Sequence, residues 1–155
     1  MTTRIGVFGG SFDPVHNGHL VAAKAVAKAI NLDRVVFVPA GLQWQKQSST
    51  SGTDRLAMVR LAITGIAGFE VSDIDILRDG PTYTFDTLTE FREANPGAEL
   101  FFILGTDAMA GLESWKHAAS LLDLATFVVV TRPGSILQVP EWASGRVMVQ
   151  EIEAL

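Results

Sequence analysis

Ile5-Gly6-Val7-Phe8-Gly9-Gly10-Ser11-Phe12-Asp13-Pro14-Val15-His16-Asn17-Gly18-His19 passes from a short apolar run, across paired glycines, into an alanine-rich stretch. Residues 5–8 read as a buried strand. Residues 19–30 read as a helix, with Leu20, Ala23, Val26, Ala27 and Ile30 on one stripe. A strand, a glycine turn and a helix make the first half of a βα unit. Gly9 and Gly10 remove side chains, so a nucleotide can lie against the backbone. Asp13-Pro14 fixes a turn whose carboxylate can bond nearby N–H groups. Gly18-His19 opens the helix, and the first N–H groups of a helix, with its positive dipole end, attract anions. The spacing from His16 to His19 puts both imidazoles near that pole. Alone, a His-x-x-His pair reads as exposed polar surface. Attached to Gly-Gly-x-Phe-Asp-Pro it reads as a polyphosphate clamp. No third ligand stands nearby for zinc.

Working outward, apolar runs and helical stretches alternate. Residues 35–38 form a second strand, ended by Pro39-Ala40-Gly41. Residues 42–52 are a polar loop holding Trp44 and Lys46. Thr53 is placed to cap a helix to residue 66, with Leu56, Val59, Arg60 and Ile63 at helical intervals. Residues 69–76 read as a third strand and 84–94 as a helix stopped by Asn95-Pro96-Gly97. Residues 100–104 are a fourth strand, ending in Gly105-Thr106-Asp107. Ser114 is placed to cap a helix over 115–122. Residues 126–131 and 147–152 read as fifth and sixth strands, the former closed by Arg132-Pro133-Gly134. Near-continuous apolar strands suggest burial on both faces, as in a parallel sheet. The expected fold is therefore α/β: a Rossmann-like, doubly wound, mainly parallel sheet of five or six strands with helices on both faces. Ligands bind there at the carboxyl ends of the strands. Gly9-Gly10, Gly105, Asp107 and Arg132 all fall at such ends.

Composition narrows the partners. The chain has 155 residues, 48% of them hydrophobic and 19% charged, with a net charge of −5. That suits one globular domain burying about 70% of its unfolded surface. An acidic balance argues against a nucleic-acid face. Cysteine is absent, which removes disulfides and thiolate metal sites. No apolar run reaches membrane-spanning length, and the strand starting at residue 5 leaves no room for a signal peptide. The expectation is a cytoplasmic protein acting on small molecules, with no nucleic-acid or membrane partner and a homo-oligomer left open. A Walker A loop, Gly-x4-Gly-Lys-Ser/Thr, is absent. A dinucleotide-binding loop wants Gly-x-Gly-x-x-Gly and an acidic residue ending strand two; the chain has Gly9-Gly10-Ser11 and Val38-Pro39-Ala40.

His16-Asn17-Gly18-His19 resembles the HxGH motif of a nucleotidyltransferase superfamily. Asp73-Ile74-Asp75-Ile76-Leu77-Arg78-Asp79-Gly80-Pro81-Thr82-Tyr83-Thr84, with Asp86-Thr87-Leu88, is similar to the pattern of bacterial nicotinate-nucleotide adenylyltransferases. So are Gly105-Thr106-Asp107, Ser114-Trp115-Lys116 and Thr131-Arg132-Pro133-Gly134. The likeness runs nearly the whole chain in order. It implies transfer of AMP from ATP to nicotinate mononucleotide, giving deamido-NAD and pyrophosphate. Nicotinamide mononucleotide or phosphopantetheine as acceptor, or a non-catalytic nucleotide-binding domain, are the alternatives. The family continues past a segment like Glu151-Ile152-Glu153-Ala154-Leu155 into Ile-Ser-Ser-Thr-x-x-Arg, which the single domain of residues 1–155 lacks; without it, weaker nucleotide binding is expected.

The resemblance also distributes roles. His16, His19 and Lys46 act at the phosphates, with Mg²⁺ held mainly by phosphate oxygens and water. Gly9, Gly10, Ser11, Phe12, Gly18, Gly105 and Asp107 bind ATP. Thr84, Trp115, Lys116 and Arg132 bind nicotinate mononucleotide. Trp115 offers a flat face to the pyridine, the Lys116 and Thr84 N–H groups receive its carboxylate, and Arg132 holds its phosphate. Each also has a plainer reading: Lys46 as an exposed loop lysine, Arg132 as a strand-end charge, Asp107 as a helix N-cap and Trp115 as core. Phe101, Phe102 and Phe127 read as core.

Overall fold

A computed structural model describes residues 2–43 and 50–152. In chain order the elements are β1 (Arg4–Gly10), α1 (Asn17–Ala29), β2 (Arg34–Pro39), β3 (Leu42–Gln43), α2 (Gly52–Ile63), β4 (Phe69–Val71), α3 (Ile74–Leu77), β5 (Pro81–Thr82), α4 (Thr84–Ala94), β6 (Glu99–Gly105), α5 (Thr106–Ala110), α6 (Ala118–Leu124), β7 (Thr126–Thr131) and β8 (Val147–Glu151). Short 3₁₀ turns occupy Leu112–Ser114 and Glu141–Ala143. Six strands form one sheet in the order β4-β2-β1-β6-β7-β8, and every pairing in it is parallel. β3 and β5 make a separate two-residue ladder. The doubly wound parallel expectation holds, with six strands in the main sheet. Among the described residues no helix is long and apolar enough to cross a membrane.

The alternation of the strand side chains builds two cores. Val7, Val36, Phe102, Leu104, Phe127 and Val129 face α4, α5 and α6, through Leu88, Met109 and Leu121. Phe8, Phe37, Phe101, Ile103 and Val128 face α1 and α2, through Ala22, Val26 and Val59. Both faces are therefore dry, which is why the strands read as continuous apolar runs rather than alternating ones. The chain leaves β1 toward β2 and β4, then returns on the other side of β1 as β6. The switch point lies between β1 and β6, and the crevice opens at Gly10 and Gly105.

Several sequence expectations need correction. The third strand stops at Val71, not at 76: the Ser72 N–H still donates to the Phe37 carbonyl, but Ser72 Oγ then accepts the Ile74 N–H and turns the chain into α3. Ser51, not Thr53, caps α2, accepting from the Asp54 N–H at 3.2 Å, and the helix ends at Ile63 before Gly65 at φ +81°. Its inner face carries Arg55, Val59 and Ile63, while Arg60 is exposed. Ser114 caps no helix. Its hydroxyl donates to the Gly111 carbonyl at 2.7 Å, and α6 starts at Ala118, after His117 at φ +53°.

Gly41 and Gly105 both end strand-turn segments, but their surroundings differ. A Cβ on Gly41 would run into the Asp75 carbonyl oxygen, which is backbone and cannot step aside. A Cβ on Gly105 would meet nothing within 4 Å. In urea unfolding, Gly41→Ala is expected to cost about 1–3 kcal/mol, the usual range for overpacking. Gly105→Ala should stay within about 0.5 kcal/mol of the parent.

Candidate functional site

α1 begins two residues earlier than its apolar stripe suggests. His16 is the N-cap, in extended conformation, and its Nδ1 accepts the Gly18 N–H at 3.1 Å. His19, at the third helical position, accepts the His16 N–H on its own Nδ1 at 3.0 Å. Together these bonds form a capping box. In the usual box Ser or Thr and Glu or Gln satisfy two orphan helix donors reciprocally, three residues apart. Here two imidazoles do it at the same spacing. The consequence is chemical. Each Nδ1 is committed as an acceptor, so each neutral ring carries its proton on Nε2, and both Nε2–H groups remain as donors.

Packing holds those donors in place. The two rings stack with centroids 3.9 Å apart. Phe12, buried, meets His19 edge-on at 4.9 Å and Phe8 at 5.4 Å. Phe12 sits at φ +49°, a conformation costly for an aromatic residue, and its complete burial offsets that strain. Gly18 is required by the ring above it: a Cβ there would stand 2.8 Å from His16 Cε1 and 2.9 Å from Nδ1. Burial first, then electrostatic repulsion from the neighbouring His16 and Arg132 side chains, lowers the His19 pKa from 6.5 to about 4. His19 is therefore a neutral donor at physiological pH, not a cation.

A cavity of about 590 Å³ opens over this box, within the range of small-molecule sites. One wall is Gly9, Gly10, Ser11, Phe12, His16, Gly18 and His19. A second is Gly105, Asp107 and Arg132, at the ends of β6 and β7. A third is Thr84, Trp115 and Lys116. Thirteen of the sequence-designated residues thus line one space; the fourteenth, Lys46, lies with Trp44 outside the described residues. Asp107 is not a helix cap: Gly105 precedes α5, and the exposed Asp107 sits in the helix's first turn. Trp115 follows the 3₁₀ turn rather than opening a helix. Its ring meets Phe102 edge-on, at 6.3 Å and 89°, and also borders the cavity. The break between that turn and α6 leaves the Lys116 N–H without a hydrogen-bond partner among the described residues. The Lys116 ammonium lies 3.7 Å from Asp86 and over the Tyr83 ring.

Sequence reasoning missed three buried polar residues around the cavity. Asp75, 3% exposed, accepts from Thr87 Oγ1 and Arg78 Nη1, both at 2.7 Å. Burial raises its pKa, opposed by those two bonds. Thr87 anchors the first turn of α4 through this carboxylate. Arg55 is 2% exposed. Its signal was present: it stands at i, i+4 and i+8 with Val59 and Ile63, on an otherwise apolar stripe. Among the described residues no three His, Cys, Asp or Glu side chains converge as a metal site.

Comparison with known proteins follows the same span. The cytidylyltransferase-like family model matches residues 7–153. A probable nicotinate-nucleotide adenylyltransferase of Clavibacter michiganensis is 51% identical, over 98% of this chain and 76% of that one. One from Streptomyces coelicolor is 48% identical, over 95% and 79%. Among solved structures, the Plasmodium falciparum nicotinic acid mononucleotide adenylyltransferase complexed with NaAD superposes with a TM-score of 0.79 at 21% identity, over 98% of this chain and 75% of that one.

The capping box predicts a pH response of definite sign. Between about 4 and 6.5 the unfolded chain holds the His19 proton and the folded chain does not. His19 therefore subtracts stability as pH falls through that window and is neutral in effect above it. An NMR titration should show the His19 ring unprotonated down to about pH 5, with nitrogen shifts marking Nδ1 as the bare acceptor. A midpoint near 6.5 would disprove the buried, neutral state.

Proposed function

The chain belongs to the cytidylyltransferase-like family and, within it, to the nicotinate-nucleotide adenylyltransferases, and from that membership we propose how its cavity works. The reaction is transfer of AMP from ATP to nicotinate mononucleotide, releasing pyrophosphate and forming deamido-NAD, a step of NAD biosynthesis. The attacking group is a phosphate oxygen of the mononucleotide, largely ionised already because its second pKa is about 6. It needs no strong base. A new bond forms from that oxygen to the α-phosphorus as the α–β bridging bond breaks. Negative charge moves onto the departing pyrophosphate.

The observation that carries this reading is the pair of His16 and His19 rings with both Nδ1 atoms tied to backbone. In our proposal their Nε2–H groups donate to the phosphate oxygens that gain charge, as preorganised donors rather than as acids. Gly9, Gly10, Ser11, Phe12 and Gly18 carry the ATP phosphates, helped by the first N–H groups of α1. Gly105 leaves room for the adenosine, and Asp107 accepts from a ribose hydroxyl. Trp115 stacks on the pyridine. The Lys116 N–H and the start of α4 at Thr84 receive its carboxylate, which favours the acid over the amide. Arg132 holds the mononucleotide phosphate, and Lys46 brings charge toward the triphosphate. The described side chains do not form a cation cage. Mg²⁺ would thus enter on triphosphate oxygens and water, where it supplies positive charge.

Incubation with ATP, Mg²⁺ and a single acceptor tests the reading. Pyrophosphate should appear with nicotinate mononucleotide and be much reduced with nicotinamide mononucleotide. Release only with phosphopantetheine, or with none, would overturn it. His19→Ala should lower kcat about 100-fold or more, the scale of a lost transition-state donor, with circular dichroism unchanged. Trp115→Ala should raise KM for the mononucleotide about tenfold, near 1.4 kcal/mol, while KM for ATP stays put. An equal rise in both would remove Trp115 from the acceptor site.

A further inference from the structure

At the carboxyl ends of β1 and β2 the backbone ladder stops. Its last pairing is Gly10 with Pro39, followed by the Ala40 N–H on the Gly10 carbonyl at 2.8 Å. Just beyond, the Ser11 and Gly41 carbonyls turn to one side chain instead. Arg55 Nη1 donates to the Ser11 carbonyl at 2.7 Å and Nη2 to the Gly41 carbonyl at 3.3 Å. Its Nε donates to the Thr50 carbonyl at 3.1 Å. Burial disfavours the charge of this guanidinium and the nearby Asp13 carboxylate favours it. Gly41 passes the link onward, because its N–H donates to Thr82 Oγ1 at 2.9 Å. Thr82 pairs with Gln43 in the β3–β5 ladder and stands two residues before Thr84.

Arg55 therefore touches the loop assigned to ATP on one side and, through Gly41, the segment assigned to the acceptor on the other. Resting on the adenylyltransferase reading, we propose that Arg55 is a positioning residue that fixes the spacing between the two substrate half-sites. Arg55 does not line the cavity, so it acts through Ser11 and Gly41. A planar fork with several fixed donors suits this task, and a lysine ammonium, a mobile point charge, does not. The kinetic consequence is specific. A residue that aligns two bound substrates changes the rate of their reaction more than the binding of either. A misplacement of about 1 Å costs about 100-fold in such steps.

Arg55→Lys, Thr82→Val and the double variant test this against the parent chain, with ATP and nicotinate mononucleotide varied separately. A methylene-bridged ATP analogue counts folded sites in each. In Arg55→Lys, kcat should fall about tenfold or more while both KM values stay within about threefold and the analogue still fills one site per chain. Thr82→Val should lower kcat at least about threefold in the same pattern, and the double variant should fall no further than Arg55→Lys, since both cut one chain of contacts. Normal kcat in Arg55→Lys would overturn the proposal. So would multiplied losses in the double variant, or a loss matched by a drop in analogue sites, which marks Arg55 as a stabiliser only. If Arg55→Lys fails to fold, Thr82→Val decides: normal kcat, or a rise in either KM as expected from a lost substrate contact at a residue that borders the cavity, overturns the proposal, and a kcat loss with both KM values unchanged supports it. A parent chain inactive with nicotinate mononucleotide sinks the adenylyltransferase reading itself, a result separate from all of these.

Discussion

Two hydrogen bonds at the start of α1 govern the site. The His16 N–H is held by His19, and the Gly18 N–H by His16. A side-chain cap of this kind contributes about 1 kcal/mol to a helix, which any serine could supply. The imidazoles add something serine cannot. Accepting on Nδ1 fixes which nitrogen carries the proton, and the same bonds fix where that nitrogen points. Helix initiation, tautomer and catalytic aim are thus one constraint. Gly18 is the condition for it, since any side chain there would strike the His16 ring. Burial against Phe12 then keeps His19 neutral.

The sheet topology decides what faces that box. Because β1 lies between β2 and β6, the loop carrying the histidines stands at the switch point. The ends of β6 and β7 supply one wall, and the β5–α4 junction supplies the other. Buried polar residues hold these walls in register: Arg55 behind the β1 and β2 ends, and Asp75 with Thr87, which reach the cavity floor, at the first turn of α4. Each is satisfied by hydrogen bonds, as burial of polar groups demands. Removing one partner would leave the other desolvated, so these residues are rigid supports.

Much of this was legible in the chain. Apolar runs marked all six strands of the main sheet, and the glycines and histidines at their ends marked the cavity. Thirteen of fourteen designated residues meet there. What escaped shares one physical cause: local pattern does not report tertiary hydrogen bonds. Residues 69–76 are apolar enough for a strand, but Ser72 and the buried Asp75 bend them into α3. Thr53 and Ser51 both suit a cap, and the bond to Asp54 chose between them. Ser114 had the type of an N-cap yet bonds backward to Gly111. Arg55 reads as a surface charge unless its helical register with Val59 and Ile63 is given weight. The histidine box was itself readable, since its spacing is that of Ser-x-x-Glu, but the residue types disguised it.

The position of β1 also bears on how the chain comes together. Its partners are β2, close in sequence, and β6, with Arg4 reaching Glu99 across 95 residues. During synthesis the hydrogen-bonding edge of β1 that β6 will cover has no partner until most of the protein has emerged. Non-local parallel pairing of this kind is slow to form, and an uncovered strand edge invites association with other chains. The strand that gives the site its central place therefore keeps one open edge until late in folding, and a nascent chain halted short of β6 would present it unprotected.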